Sequence, residues 1–268
     1  VNMFMKKRGQ LAIFIIVGVI IVAGITLFIL LKSGLVPKIS MGEADTDNLN
    51  SFLSSCLQDK IREGIQIISL QGGYIEPVLY KGIWFDEGGP ANISYLCYTK
   101  ENYAPCVNQE PLLLKHLQEE IKEYIKEDVE KCFDALKTSL EKQGYATEGT
   151  LENFDVSLKP EKIILNIKAE LNIDKGEDVL RYEKFAIGMK TELYEIARFV
   201  GLIIESERQK GDFDYPFYMA FFNLPMDIRA FSTSDSSVIY TIKHKETKET
   251  FRFAVRSMVI PPGWGVTI

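Results

Sequence analysis

The sequence predicts an α+β fold in which one N-terminal transmembrane or assembly helix precedes an ectodomain of amphipathic helices packed on antiparallel sheets. Three observations predict it. The chain of 268 residues opens with a long uncharged apolar run, residues 47–145 hold two helix-period apolar patterns, and residues 146–268 hold several stretches of alternating apolar and polar residues. Roughly 230 residues remain beyond the apolar run, enough for one large domain or two small ones.

The apolar run has the length of a membrane span. Leu11–Leu31 contains 21 residues without a charge, about 32 Å as a helix, against the roughly 30 Å of a bilayer's hydrocarbon core. A cleaved secretory signal has a shorter apolar region and small residues at the cut, and no such pattern follows here. We therefore predict a basic leader over 1–9, a transmembrane or filament-core helix over 10–33 that partners the lipid bilayer, and a polar stalk over 34–46.

The charge distribution orients this helix. Lys6, Lys7 and Arg8 precede it, and only two lysines follow it closely. The positive-inside bias therefore predicts a cytoplasmic N-terminus and places residues 34–268 outside the cell. The part of the chain after the last of those lysines holds 26 basic and 37 acidic residues, a net charge of −11, which disfavours nucleic acid as a partner.

Residues 47–145 are predicted to form the first half of the ectodomain, with two long helices around a pair of strands. Asp45 or Asp47 is a suitable N-cap for the first helix, which should end at Gln71-Gly72-Gly73 because glycine accepts the left-handed conformation. A second amphipathic helix is predicted over 110–142. Between the helices we expect strands at YIEPVLY and NISYLCY, joined by a turn at FDEGGP.

Residues 146–268 are predicted to form the second half. LENFDVSLKPEKIILNIKAELNI predicts a β-hairpin that turns at Lys-Pro-Glu-Lys, and LRYEKFAIGM predicts a third strand. KTELYEIARFVGLIIESERQKG predicts an amphipathic helix, whereas PFYMAFFNL fits either a helix or a strand. MDIRAFS, SVIYTIK and ETFRFAVR predict a closing meander with Lys-Glu-Thr-Lys at its last turn.

The four cysteines are an even number in a part of the chain predicted to face an oxidising space. Cys97 and Cys106 lie in one loop, where a short bridge is expected. Cys56 and Cys132 fall on the apolar faces of the two helices, so a bridge between them would join the helices. The alternative is that Cys56 and Cys132 are small buried apolar residues.

Motifs for chemistry are few. No G-x-S-x-G, H-E-x-x-H, G-x-G-x-x-G or P-loop pattern occurs, so we predict no enzyme, no catalytic residue and no cofactor. Asp212 and Asp214 are better explained by a capped turn than by calcium, and the absence of C-x-x-C disfavours zinc, so no metal is expected. Asn92-Ile93-Ser94 is the single N-x-S/T sequon, which makes Asn92 a possible glycosylation site or a chance match.

The opening residues carry a family resemblance. Lys7, Arg8 and Gly9, followed by Gln10 and an apolar helix from Leu11 onward, resemble the class III signal of archaeal type IV pilins and archaellins. The resemblance implies that a prepilin-type peptidase cuts between Gly9 and Gln10. It also implies a homo-oligomer, formed through residues 10–33 and the ectodomain.

The whole chain is also similar to a group of surface proteins of small-genome archaea. The shared features are an R-G-Q-L/V start, a cysteine-containing helix ending in LQGGYI, the loop LCYTKENYAPCV and the helix QEPLLLKHL. This similarity implies an archaeal cell envelope. We expect a cell-surface structural or adhesive subunit that assembles into a pilus-like filament or surface lattice. The alternative is a non-assembling membrane-anchored extracellular binding module.

Overall fold

The structure is a computed structural model that describes residues 46–85, 89–174, 176, 179–222 and 224–260. The predicted leader, the hydrophobic helix over 10–33 and almost all of the stalk lie outside these residues, so their predictions stay open. Within the described ranges, no helix combines the length and apolar character needed to cross a membrane. The described residues belong to one compact unit.

The described part of the chain contains four helices and nine strands. The helices are α1 (Thr46–Leu70), α2 (Leu113–Glu141), α3 (Leu193–Lys210) and α4 (Tyr215–Phe221). The strands are β1 (Tyr80–Phe85), β2 (Gly89–Tyr98), β3 (Val107–Asn108), β4 (Ala146–Lys159), β5 (Lys162–Asp174), β6 (Val179–Lys190), β7 (Met226–Ser232), β8 (Val238–His244) and β9 (Thr250–Arg256).

One sheet is an antiparallel meander of the three long strands β4, β5 and β6. It confirms the predicted hairpin and third strand. α2 packs on β4 and α1 packs on β6. Helix side chains also cover both sheet edges, because Gln118 Oε1 accepts the Leu158 N–H at 2.8 Å and Asn50 Oδ1 accepts the Ala186 N–H at 3.1 Å.

α1 and α2 pack against each other in antiparallel orientation. Cys56 bonds to Cys132 near one end of the pair, and Gly64 meets the Tyr124 ring farther along. A Cβ atom on Gly64 would lie 2.7 Å from Tyr124 Cδ1, so glycine permits this close approach. The core of the pair consists of buried aliphatic residues at helical spacing, including Leu53, Leu57, Ile61, Ile121, Ile125 and Val129.

The C-terminus of α1 ends as predicted and docks on β2. Gly72 and Gly73 have φ angles of +74° and +97°, and the Gly73 N–H donates to the Ile68 carbonyl at 2.6 Å. The Gln71 carbonyl accepts from the Ser94 N–H at 3.1 Å and from its hydroxyl at 2.7 Å. The glycine turn therefore fixes α1 to the second sheet.

The second sheet has the strand order β1-β2-β9-β8-β7, with β3 added beside β2. The predicted meander β7–β8–β9 is confirmed. β2 pairs with β9 in parallel, with Cys97 opposite Val255, so the sheet is mixed and the prediction of purely antiparallel sheets is wrong for this pair. This pairing also joins the two predicted halves of the chain in one sheet.

The predicted strand YIEPVLY is wrong over most of its length, because β1 begins only at Tyr80. The first two residues of this segment bond to side chains instead of to a neighbouring strand. Tyr74 donates its hydroxyl to Glu110, and the Ile75 N–H donates to Glu120 Oε2 at 2.7 Å. Pro77 has no N–H to donate to a sheet.

α3 contacts β2, β3 and β9, and α4 contacts β7. The apolar residues predicted to lie inside α3 are all buried: Leu193, Ile196, Ala197, Val200, Ile203 and Ile204. One buried polar pair fixes α3 to the sheet, because the Tyr240 hydroxyl donates to Glu207 Oε1. Burial raises the pKa of Glu207. The first six residues of the ambiguous segment PFYMAFFNL, 216–221, lie in α4.

Candidate functional site

The four cysteines form the two expected disulfides. Cys56 bonds to Cys132 with a Cα–Cα distance of 6.0 Å, and Cys97 bonds to Cys106 at 5.3 Å. Cys132 is buried but Cys56 is exposed, so the prediction that both thiols point into the core is wrong for Cys56. Cys56 lies at the edge of the apolar face of α1, whereas the neighbouring Leu57 lies at the centre of that face. Two disulfides are consistent with an oxidising location outside the cytoplasm.

The predicted modification sites have different outcomes. Gly9 and Gln10 lie outside the described residues. Asn92 is exposed on β2 opposite Gly82, whereas Ser94 of the same sequon is buried with its hydroxyl bonded to Gln71. The amide that would carry a glycan is therefore accessible, and glycosylation of Asn92 stays a prediction.

The predicted turn at the two aspartates is confirmed. Asp214 is the N-cap of α4, and its Oδ1 accepts the Phe217 N–H at 3.0 Å. Asp212 uses its backbone carbonyl to accept the Ser206 hydroxyl at 2.8 Å. Across the described ranges, no group of three or more His, Cys, Asp or Glu side chains is arranged to hold a metal ion.

Two adjoining cavities lie at the β8–β9 turn. The first, of about 780 Å³, lies between the C-terminal half of α1, the end of β6 and the β8–β9 turn. The second, of about 540 Å³, lies on β7, β8 and β9. Apart from His244, its strand residues belong to the outer face, opposite the face that carries Tyr240 and Phe253. Lys248 and Thr250 line both cavities, so the cavities meet at the β8–β9 turn.

Basic side chains dominate the lining of these cavities. Seven lysines and arginines take part against two carboxylates, Asp227 and Glu249. The part of the chain after Lys38 nevertheless carries a net charge of −11, so the local charge is opposite to the average. We call this the basic surface and define it by Arg62, Lys190, Arg229, Lys243, Lys245, Lys248 and Arg252.

Both carboxylates of the basic surface are already bonded. Glu249 accepts the Thr191 hydroxyl at 2.6 Å and the Glu192 N–H at 3.1 Å, at the N-terminus of α3. Asp227 pairs with Arg229 at 3.3 Å. The two carboxylates offset only two of the seven positive charges, so the lining keeps an excess of positive charge.

Two of the seven basic residues have acidic partners, since Arg62 pairs with Asp59 at 2.7 Å and Arg229 pairs with Asp227 at 3.3 Å, and the other five have none among the described residues. Lys190, Lys243 and Arg252 form no ion pair with a carboxylate of the described residues. Lys245 and Lys248 donate only to backbone carbonyls, those of Leu224 and Lys245. Desolvated or crowded cations without partners raise the local potential and attract anions.

A row of lysines extends the basic surface across the three-stranded sheet. Lys159 lies opposite Lys162, and Lys162 lies opposite Lys190, in the register of β4, β5 and β6. All three are exposed. Like charges directly opposite each other destabilise a sheet, so this arrangement has an energetic cost that an anionic ligand would remove.

Arg252 has the most constrained environment on the basic surface. Its guanidinium lies 4.0 Å from the centroid of the Phe85 ring. Its Nε is buried and has no hydrogen-bond partner among the described residues. Burial lowers the pKa of Arg252, since desolvation disfavours the charged form. The Phe85 ring packs against a small apolar cluster on the outer face of the sheet, formed by Ile93, Tyr95, Ile239 and Ala254.

Sequence reasoning missed the basic surface. The sequence from Lys243 to Arg252 predicts a strand, a turn and a strand. The overall acidic charge disfavours an anionic ligand. A usable signal was present, because Lys243, Lys245, Lys248 and Arg252 form a local basic group within ten residues. Arg62 and Lys190 join this group only through the fold.

Comparison of the chain with protein-family models, curated proteins and solved structures found no match. The resemblance of the opening segment to archaeal pilin signals therefore stays an expectation.

Proposed function

We propose that this chain is a membrane-anchored cell-surface protein, with a cytoplasmic N-terminus, whose disulfide-bonded domain is an adhesive subunit that binds its target through the basic surface. The observation that carries the proposal is the seven basic residues, against two occupied carboxylates, around two adjoining cavities. The apolar run Leu11–Leu31 supports the anchor, and the two disulfides support display in an oxidising space.

The chemistry of the basic surface supports binding. Seven of its charged groups are lysine and arginine side chains and two are carboxylates, and its other polar groups include threonine, serine and glutamine side chains. These groups hold an anionic ligand by charge and hydrogen bonds. The sheet and α1 hold their backbones in place, so the backbone loses little conformational entropy on binding.

The test uses cells that express the full chain. Protease added to intact cells should remove the domain, and the intact cells should adhere to a target surface better than cells lacking the chain. A triple variant of exposed lysines, Lys243→Gln with Lys245→Gln and Lys248→Gln, should lose most of this adhesion.

The matched control removes three exposed lysines from α2, as Lys115→Gln with Lys126→Gln and Lys131→Gln. It lowers the net charge by the same amount and should retain adhesion. Equal loss in both variants contradicts a role for the basic surface. A chain found in the cytosol, soluble without detergent and with four free thiols, contradicts the anchored location.

A second candidate function is assembly of copies into a filament or lattice, and α4 supports it. None of its residues is buried. Phe217 is 44%, Phe221 73% and Phe222 59% exposed. The ring centroids of Phe217 and Phe221 are 4.4 Å apart, so the two rings form a continuous aromatic surface. Exposed apolar patches of this kind mark protein contacts, and a filament supplies a neighbouring copy at every subunit.

The test of assembly is to purify native envelope filaments and to determine the N-terminus of this chain within them. A start at Gln10 supports the cleaved, assembled subunit. A start at Val1 or Met5 together with detergent-soluble monomers contradicts assembly. Replacing Phe217, Phe221 and Phe222 with serine should reduce filament yield while leaving the protein on the cell surface.

A further inference from the structure

We propose that the basic surface binds a linear acidic polysaccharide by contacting the carboxylates of that polymer. Arg252 is the residue that recognises one of these carboxylates. This inference rests on the proposed adhesive function and specifies the class of its ligand.

The strand register arranges the charges of the outer face in rows. Arg229, Thr241 and Arg252 lie directly opposite one another on β7, β8 and β9. The next row on the same face contains Asp227, Lys243 and Thr250. Neighbouring strands lie about 4.8 Å apart, so the backbones of the two arginines are separated by about 10 Å, with a threonine between them. The first row therefore alternates arginine and threonine, and the second places a lysine between a carboxylate and a threonine.

This alternation fits a polymer that carries both carboxylates and hydroxyl groups. Arginine and lysine bind carboxylates, whereas threonine, serine and glutamine side chains exchange hydrogen bonds with sugar hydroxyls. The outer face supplies threonine hydroxyl groups. The first cavity adds the side-chain amides of Gln58 and Gln66 and the hydroxyl group of Ser69. Because the cavities meet at Lys248 and Thr250, one extended chain can contact both.

Arg252 is suited to recognise one carboxylate. The Phe85 ring holds its planar guanidinium at 4.0 Å, which restricts its orientation. The buried Nε has no acceptor among the described residues, and the rest of the Arg252 side chain lines the second cavity. A guanidinium with a fixed orientation binds a carboxylate through two parallel hydrogen bonds, which a lysine cannot reproduce.

The residues lining the basic surface favour a polysaccharide over a nucleic acid. None of the residues lining the two cavities is a phenylalanine, tyrosine or tryptophan. Sites for single-stranded nucleic acid rely on aromatic side chains that stack on bases. Phe85 does not provide such a platform, since its ring face is covered by Arg252.

The test measures the dissociation constant of the full-length chain, held in detergent micelles, for immobilised polygalacturonate by biolayer interferometry. Neutral dextran and single-stranded DNA are measured in parallel. Binding to polygalacturonate should exceed binding to both, and should weaken as salt is raised beyond about 0.15 M because screening shortens the range of the charges. Equal binding of dextran, or tighter binding of DNA, overturns the proposal.

The decisive variant is Arg252→Lys, which keeps the charge but removes the planar pair of donors. It should weaken polygalacturonate binding by at least about tenfold, the usual value of a charge-assisted hydrogen bond. Arg198→Lys is the control, because Arg198 is exposed on α3 and lies outside the basic surface. An unchanged affinity of Arg252→Lys overturns the role of Arg252.

A second variant guards against misfolding. Lys243 is exposed and forms no ion pair with a described carboxylate, so Lys243→Gln should fold normally and bind about two- to fivefold more weakly. Unchanged affinity in this variant overturns the basic surface as the binding site. Cells that still adhere while the purified chain fails to bind polygalacturonate overturn the ligand class and leave the adhesive function standing.

Discussion

The longer of the two disulfides should contribute more to stability. Cys56 and Cys132 are 76 residues apart in sequence, and Cys97 and Cys106 are 9 apart. A cross-link stabilises the fold mainly by restricting the unfolded chain, and the restriction grows with the logarithm of the loop length. At room temperature this relation assigns about 4.5 kcal/mol to the long bridge and about 2.6 kcal/mol to the short one.

Packing complicates a direct comparison of cysteine variants, because Cys97, Cys106 and Cys132 are buried and Cys56 is exposed. Alanine substitution would therefore remove more buried volume from the short bridge than from the long one. The remedy is to compare oxidised and reduced forms of one variant. Its side chains are then the same in both forms, and the difference in the free energy of unfolding reports the bridge alone.

The assay is urea unfolding of residues 41–268, which form one compact unit. The circular dichroism signal of the helices monitors the unfolding. Trp84 is 74% exposed, which makes its fluorescence a poor probe of unfolding. With a denaturant slope of about 3 kcal/mol per molar, reduction should shift the midpoint by about 1.5 M when only the long bridge remains, and by about 0.9 M when only the short one remains. An equal shift, or a larger shift for the short bridge, would refute the reasoning.

Two further outcomes are expected for the domain. Gly149→Ala should destabilise the domain by about 1–3 kcal/mol, since a Cβ atom there would overlap the Glu170 carbonyl. Gly188→Ala is the control, because no atom lies within 4 Å of its added Cβ, and it should change stability by less than about 0.5 kcal/mol. Thermal unfolding compares the two variants, and equal losses would contradict the tight packing at Gly149. Burial raises the pKa of Glu207, so the folded state holds this proton more tightly than the unfolded chain, and the associated stability is present below the unfolded pKa and is lost as pH rises through the folded one. Glu207→Gln keeps an acceptor for Tyr240 and should abolish this part of the pH dependence, which lies above the ordinary pKa of a glutamate; an unchanged profile would argue that Glu207 does not cause it.

The exposed aromatic surface of α4 and the basic surface lead to different experiments. The first concerns contact between copies of the chain, and the second concerns an anionic ligand. A surface protein can use both, since β7 joins the two regions: α4 packs beside it, and Arg229 lies on it. Variants of Phe221 and Arg252 therefore separate assembly from binding in the same protein.

Local patterns in the sequence determined much of the fold. The 3.6-residue period defined α1, α2 and α3, the glycines at 72 and 73 ended α1, and alternation defined the β4–β5 hairpin and the β7–β9 meander. These features depend on residues that are close in sequence, so their signals survive in a single chain. The parity and spacing of the cysteines likewise allowed both bridges to be expected.

The tertiary structure alone decided the remaining features. The parallel pairing of β2 with β9 links strands more than 150 residues apart and leaves no local trace. The same holds for the late start of β1, where the bonds from Tyr74 to Glu110 and from Ile75 to Glu120 of α2 replace a strand. The basic surface shows the reason most directly: charges add to −11 along the sequence, but the electrostatic potential depends on which of them the fold brings together.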